Sequence, residues 1–157
     1  MPVQLTKLKN YEVHSVTSAL GETLNANIAT WVMQSALKGT HLTVAMATED
    51  FTYELVSQTG RCNVHLLGRG QMNYINRLGR KSGRSGFKLK RIPYETDPFG
   101  LPILTESIGY FQCIVEGWLE SGDHTLASCR IEKMISLNRD QIPLRVDDLR
   151  ERGLIRG

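Results

Sequence analysis

The stretch 110–135 constrains this chain most. Residues 110–118 alternate, with Phe111, Cys113 and Val115 on one face. Residues 125–135 form a second, longer run of strand character. Ser121-Gly122-Asp123 lies between them and has the composition of a hairpin turn. A long antiparallel hairpin is therefore expected, and it needs further strands to cover both its edges.

The upstream sequence supplies them. Residues 12–18 and 29–36 are rich in β-branched residues or alternate. Residues 41–47 place Leu42, Val44 and Met46 on one face and Thr43 and Ala45 on the other, after a Lys38-Gly39-Thr40 turn. Residues 62–67 read as a further strand. Between these strands, residues 49–59 read as a helix, with Thr48 as its N-cap, Glu49 and Asp50 in the first turn and Gly60 as the stop. Met72, Ile75 and Leu78 form a second helical stripe ending at Gly79. A last short helix is expected over 146–152, closed by Gly153. The intervening segment, to about Thr105, reads as one long loop.

Strands thus follow one another in hairpin succession and do not alternate with helices. This predicts a mainly β fold, an antiparallel barrel with two or three peripheral helices, and one domain over residues 1–157. No run of about 18 apolar residues predicts a membrane span, and no basic stretch precedes an apolar one at the N-terminus. Three cysteines, Cys62, Cys113 and Cys129, lack CxxC spacing and sit in apolar or alternating segments. They are expected as buried free thiols, which fits a reducing, cytoplasmic setting. His14, His41, His65 and His124 show no ligand spacing, so no metal site is expected.

Charge is unevenly placed. The net charge is +3, yet seven cations and no acid fall between Arg77 and Arg91. The other twelve cations and sixteen acids leave the rest at −4. A local positive patch on an acidic body fits a local anionic ligand or a solvated charged loop. It does not fit a chain that coats nucleic acid, which is basic throughout.

Three segments carry possible chemistry. In Gly79-Arg-Lys-Ser-Gly83 the glycines allow close backbone approach, Lys81 offers a point charge and Ser82 a hydroxyl. It is either a phosphate loop or a plain basic turn, and it lacks Walker spacing. In Asn27-Ile-Ala-Thr-Trp-Val-Met-Gln34, hydroxyl and amide groups flank an aromatic ring. That suits a flat heteroaromatic ligand, or else a strand end with Trp31 in the core. His124 follows Gly122-Asp123, where a histidine is commonly exposed and idle. No nucleophile or carboxylate pair supports hydrolysis.

Read together, these segments resemble the flavin reductase-like family of FMN-binding split barrels. The resemblance runs from about Thr23 to Met134. It rests on the 27–34 segment, Leu42-Thr-Val-Ala-Met46, Asn63-Val-His-Leu-Leu67, Gly79-Arg-Lys-Ser-Gly83, Pro102-Ile-Leu104 and Gly122-Asp-His-Thr-Leu126. It is particularly similar to the flavin reductase modules fused to flavodiiron proteins. The chain departs from the family pattern where Lys38-Gly39-Thr40-His41 replaces a Pro-Pro pair, at Arg61 and Cys62 where a Phe is frequent, at His65 where an Asn is frequent, and at Ser128-Cys129-Arg130-Ile131. These departures bear on cofactor affinity and nicotinamide use.

The resemblance implies an antiparallel split barrel and a homodimer with FMN near its interface. It implies Thr30, Trp31, Val32, Gln34 and Ser35 along the isoalloxazine and ribityl chain. Arg80, Lys81, Ser82 and Gly83 reach the phosphate, and His124 is the catalytic-site residue beside the flavin or nicotinamide. The implied activity is NAD(P)H-dependent flavin reduction, with NADH or NADPH as donor. The acceptor is a flavin, an iron complex or a redox protein, and no nucleic acid or membrane partner is implied. Two alternatives stay open: an FMN-holding electron carrier without its own NAD(P)H activity, and a barrel that has lost flavin.

Overall fold

In the computed structural model, residues 4–155 are described. The strands are β1 (His14–Leu20), β2 (Thr23–Ala26), β3 (Val32–Gln34), β4 (His41–Ala47), β5 (Arg61–Leu66), β6 (Tyr94–Thr96), β7 (Pro102–Leu104), β8 (Gly109–Ser121) and β9 (His124–Ser136). The α-helices are α1 (Phe51–Thr59), α2 (Tyr74–Leu78) and α3 (Val146–Glu151). Seven strands form one antiparallel sheet in the order β2-β1-β5-β8-β9-β4-β3, and β6 and β7 form a separate hairpin.

The expected hairpin is present and longer than its alternating core, with thirteen residues in each strand. Gly122 takes φ +64°, which an L side chain rarely adopts, and this closes the turn. Two register shifts interrupt the pairing. Val115 faces Cys129 and Gly117 faces Ser128, so Glu116 is an extra residue on β8. Gln112 faces Lys133 and Cys113 faces Ile131, so Glu132 is an extra residue on β9. Both bulged residues are glutamates held by basic side chains on nearby strands. Glu116 binds His41 at 2.9 Å and Arg130 at 3.3 Å, and Glu132 binds Arg61 at 3.1 Å. Bulges increase local twist and bend a strand, so they help to curl the sheet.

The curl encloses one apolar cluster. Val16, Val44, Met46, Val64, Ala127 and the three cysteines meet inside it, and Val56 of α1 closes one side. All three thiols are free and buried, as expected. A second cluster packs Leu67, Leu89, Leu104 and Leu144 against Tyr74, Ile75 and Leu78 of α2 and Val146 and Leu149 of α3.

Several boundaries differ from the sequence expectations. The helix expected from residue 49 begins at Phe51, with Asp50 in the N-cap position, so Thr48 is not the cap. Thr48 instead donates through both its backbone N–H and its hydroxyl to the Asp123 carbonyl, bracing the hairpin turn. β2 was not expected. It returns along β1 after the two-residue turn Gly21-Glu22. The long loop contains the β6–β7 hairpin, which buried polar contacts hold in place. Thr17 donates to Pro102 O at 2.7 Å, Asn63 Nδ2 to Asp97 Oδ2 at 3.0 Å, and Leu104 N–H to His65 Nε2 at 3.0 Å.

His65 is fully buried, and its other ring nitrogen donates to Ser15 O at 3.3 Å. Accepting on Nε2 and donating on Nδ1 fixes the neutral ring in one tautomer. Burial pushes His65 down to about 3 and, despite the opposing charge of Glu12, His14 down to about 4. The ordinary value is 6.5. Below it, the unfolded chain binds protons that the folded chain refuses. Their contribution is therefore fully present above that value and is lost as pH falls toward the folded values. The unfolding free energy should drop by about 1 kcal/mol per histidine between about pH 7 and pH 5.5, measured by urea denaturation. His14 Nδ1 has no hydrogen-bond partner among the described residues. Replacing His14→Leu should therefore reduce the histidine share of this slope by about half without loss of stability at pH 7. An unchanged slope in this variant would contradict the assignment.

Candidate functional site

The segment expected as one strand over 29–36 is divided between two partners. Ala29 exchanges both backbone hydrogen bonds with His14 on β1, at 2.8 Å each. Two residues later Trp31 O accepts from Ala45 N–H of β4 at 2.9 Å, and Val32 pairs with Val44. The chain therefore crosses from one side of the open sheet to the other at Thr30 and Trp31. Asn27 anchors the start of the crossing by accepting Val16 N–H on Oδ1 at 2.9 Å.

β9 lies beside β4 with Ala47 opposite His124. This register brings the hairpin turn next to the crossing. The Trp31 and His124 rings lie 4.8 Å apart and tilted by 59°. Trp31 is 51% exposed, so its ring is a surface platform and not a core filler. Asp123 Oδ1 accepts from His124 Nδ1 at 2.7 Å. That hydrogen bond, and the His124 charge behind it, hold the Asp123 carboxyl below its usual range. With Nδ1 so engaged, His124 Nε2 has no protein partner among the described residues.

These residues line a cavity of about 910 Å³. Its walls include Thr30, Trp31, Asp123 and His124 on one side and Gly79 and Arg80 at the end of α2. The N-terminal segment and α3 complete it through Lys7, Lys9, Tyr11 and Arg150. Sequence reasoning missed this last wall. Its residues are scattered polar positions at the two ends of the chain, without motif or period. A second cavity, around Leu137 to Gln141, holds none of the expected site residues.

The structure sorts the basic segment into two groups. Arg84 Nε and Nη2 donate to Glu54 Oε2 at 3.0 and 2.6 Å, and Nη1 donates to Glu49 O at 3.0 Å. Its guanidinium also lies over the Phe51 ring, 5.3 Å from the centroid. Lys88 Nζ donates to Ala26 O and Leu78 O at 3.0 Å each, tying the end of α2 to β2. Burial pushes Lys88 down to about 8, opposed by the charge of Asp50. Arg77 donates to Arg91 O. These three cations hold the loop. Arg80 and Lys81 make no side-chain hydrogen bond or ion pair among the described residues, so they are free to meet an anion.

The two loop glycines allow a close approach, although to the protein itself. A Cβ on Gly83 would meet Asn25 Oδ1 at 2.3 Å and Phe51 Cδ2 at 2.7 Å. A Cβ on Gly79 would meet Ile75 O at 2.9 Å. Ser82 Oγ accepts from Arg84 N–H at 3.2 Å, which leaves its hydroxyl hydrogen to donate elsewhere. Val32 is buried in the core. Gln34 donates to Ala36 O at 2.8 Å and Leu37 O at 3.4 Å, fixing the turn before β4. The cavity thus gathers Thr30, Trp31, Arg80 and His124. Val32, Gln34, Ser35, Lys81, Ser82 and Gly83 are not among its lining residues.

The donor set fits a flavin mononucleotide. A half-exposed aromatic platform, a hydroxyl and unpaired cations share one cleft of ligand-binding size. Among the described residues, no group of three or more His, Cys, Asp or Glu side chains is placed to hold a metal. No helix among them is long and apolar enough to cross a membrane.

Comparison with known proteins places this site in context. Diflavin flavoprotein A 3 of Synechocystis sp. is 33% identical over 110 residues, which are 69% of this chain and 18% of that protein. The chain spans about a fifth of the length of the diflavin flavoproteins it matches. An FMN-binding protein of Thermus thermophilus superposes with a TM-score of 0.77 at 20% identity, over 87% of this chain and 76% of that one. An NADH:FAD oxidoreductase of Streptomyces globisporus superposes with a TM-score of 0.81 at 14% identity, over 90% and 86%. At these identities the superpositions establish the fold, that of a split barrel. The family model for the flavin reductase like domain matches residues 10–147. On that match, which covers most of the chain, this protein belongs to the flavin reductase-like family.

Proposed function

We propose that this chain is a flavin-dependent oxidoreductase that holds FMN in the cleft at Trp31 and His124 and takes electrons from NADH or NADPH. The observation that carries the reading is the convergence of Thr30, Trp31, Arg80 and His124 on one cavity, within a chain of this family. The bound flavin would supply the redox chemistry, accepting hydride at its N5. The protein's own residues then bind, orient and exclude. Trp31 offers an apolar face, Thr30 a hydroxyl for a polar ring edge, and Arg80, Lys81 and Ser82 donors for the phosphate. Val32, Gln34, Ser35 and Gly83 act one layer back, holding the strand and loop that present those groups. His124, fixed by Asp123, stands where a nicotinamide would approach the exposed ring and acts there by positioning or by local charge.

A homodimer is part of this reading. Trp31, Met33, Leu37 and Trp118 are exposed, and a second subunit would cover apolar surface and finish enclosing the cleft. The reading also includes the cytoplasm as the compartment and a flavin, an iron complex or a redox protein as acceptor. An FMN-holding electron carrier is the second reading, favoured by the match to one segment of longer diflavin flavoproteins.

The purified protein should be yellow, with a flavin absorbance spectrum, and should oxidise NADH or NADPH. A yellow protein that leaves both donors untouched is the carrier, and a colourless one that does not take up added FMN overturns the proposal. Removing one charge-assisted phosphate contact with Lys81→Ala should cost about 1.5–3 kcal/mol, or roughly tenfold or more in FMN affinity. Unchanged affinity would place the phosphate elsewhere. His124→Ala should raise KM for the nicotinamide donor or lower kcat with flavin content nearly unchanged. Wild-type kinetics across pH 6 to 8 would mark His124 as an idle surface residue, and loss of flavin would assign it to the cofactor site.

A further inference from the structure

Resting on the flavin reading above, we propose that Lys7 and Lys9 form a second anion site in the same cavity, one that takes the adenosine diphosphate portion of a dinucleotide. The cavity measures about 910 Å³, near the upper end of ligand pockets. Arg80, with Lys81 beside it, suffices for the single phosphate of a mononucleotide. The wall built from the chain's two ends carries further cations that this phosphate does not use.

Charge compensation on that wall is selective. Arg150, which lines the cavity, pairs with Asp147 at 2.5 Å, and Arg145 and Arg69, which do not line it, pair with Glu12 at 3.1 Å and Asp148 at 3.4 Å. Lys7 and Lys9 have no carboxylate partner among the described residues, and both line the cavity. Of the acids that line it, Asp123 is engaged by His124, and Asp50 lies close enough to Lys88 for its charge to act there. Uncompensated cations in a cleft raise the local concentration of anions. The ammonium group, a compact point charge, suits phosphate oxygens.

The segment bearing the two lysines is also held in place. Lys7 N–H donates to Gln4 O at 2.9 Å, and Arg150 Nη2 of α3 donates to Lys7 O. Lys9 Nζ lies 5.1 Å from the centroid of the Tyr11 ring, itself part of the cavity wall. One ammonium over an aromatic ring, with a second lysine on the same cavity wall, has the composition an adenosine diphosphate requires. Two ligands present that group here, the nicotinamide donor and a flavin dinucleotide.

The test compares the full chain with its Lys7→Ala/Lys9→Ala variant by calorimetric titration. FMN and FAD are titrated into the flavin-free protein, and ADP-ribose into the FMN-loaded and the flavin-free protein. FMN affinity should agree within about twofold between the two proteins, while ADP-ribose or FAD should bind the variant about tenfold more weakly. Weakening of ADP-ribose alone identifies the nicotinamide donor as the ligand. Weakening of FAD alone identifies the flavin dinucleotide, and weakening of both identifies a site shared by the two. Equal affinity of both proteins for ADP-ribose and FAD overturns the proposal. So does an equal weakening of FMN, which would assign the lysines to the mononucleotide phosphate. Failure of the wild-type chain to bind FMN counts against the flavin reading, and titration of ADP-ribose into flavin-free protein still decides the role of the lysines.

Discussion

The crossing of residues 27–32 from β1 to β4 is the constraint on which the site depends. An open antiparallel sheet has two edges, and unpaired strand edges leave backbone donors and acceptors to be satisfied. Here one short segment pairs with β1 at Ala29 and with β4 at Trp31. It cannot serve both partners as a regular strand, so Thr30 and Trp31 are turned out at the changeover. The register of β9 on β4, with Ala47 opposite His124, then decides what they meet. A slip of one residue would reverse the faces of β9 and remove His124 from Trp31. The same slip would expose Ala127 and Cys129, so burial of the barrel interior and assembly of the site are enforced together.

The basic segment shows a division of labour within one run of like charge. Seven cations within residues 77–91 repel one another, and a segment of that kind stays in place only if some of them are engaged by the protein. Arg84 is bound by Glu54 and by a backbone carbonyl, and Lys88 is drawn inward onto two carbonyls at the junction of α2 and β2. Those contacts cost ordering entropy and desolvation. In return they hold Arg80 and Lys81 in position without neutralising them. Cations held by the structure yet unpaired are what a phosphate site requires before its ligand arrives.

Much of this was legible in the sequence, and what was not shares one physical cause. The β8–β9 hairpin, the faces of β4 and the stripe of α2 declare themselves through local periodicity and turn composition. Trp31 and His124 belong to two of the three segments that carry chemistry in the sequence, although only the sheet register brings them into contact. The β6–β7 hairpin was hidden because its three-residue strands are fixed by contacts from far along the chain, at Thr17, Asn63 and His65. The glutamate bulges were hidden because a bulge depends on both strands of a pair. Lys7, Lys9 and Tyr11 were hidden because they form a wall only after the two ends of the chain meet. Asn27 receives a backbone N–H from Val16 and Gly83 lets the loop press against Asn25 and Phe51, contacts that depend on residues far along the chain.

On the proposed reading, flavin sits in the cleft between the crossing segment and the hairpin turn. Amide chemical-shift mapping of the isotopically labelled chain during FMN titration tests it most directly. Saturable shifts are expected at Thr30 and Trp31, at the loop from Gly79 to Gly83, and at Asp123 and His124. Shifts confined to the other cavity, around Leu137 to Gln141, or no saturable shifts at all, would contradict it.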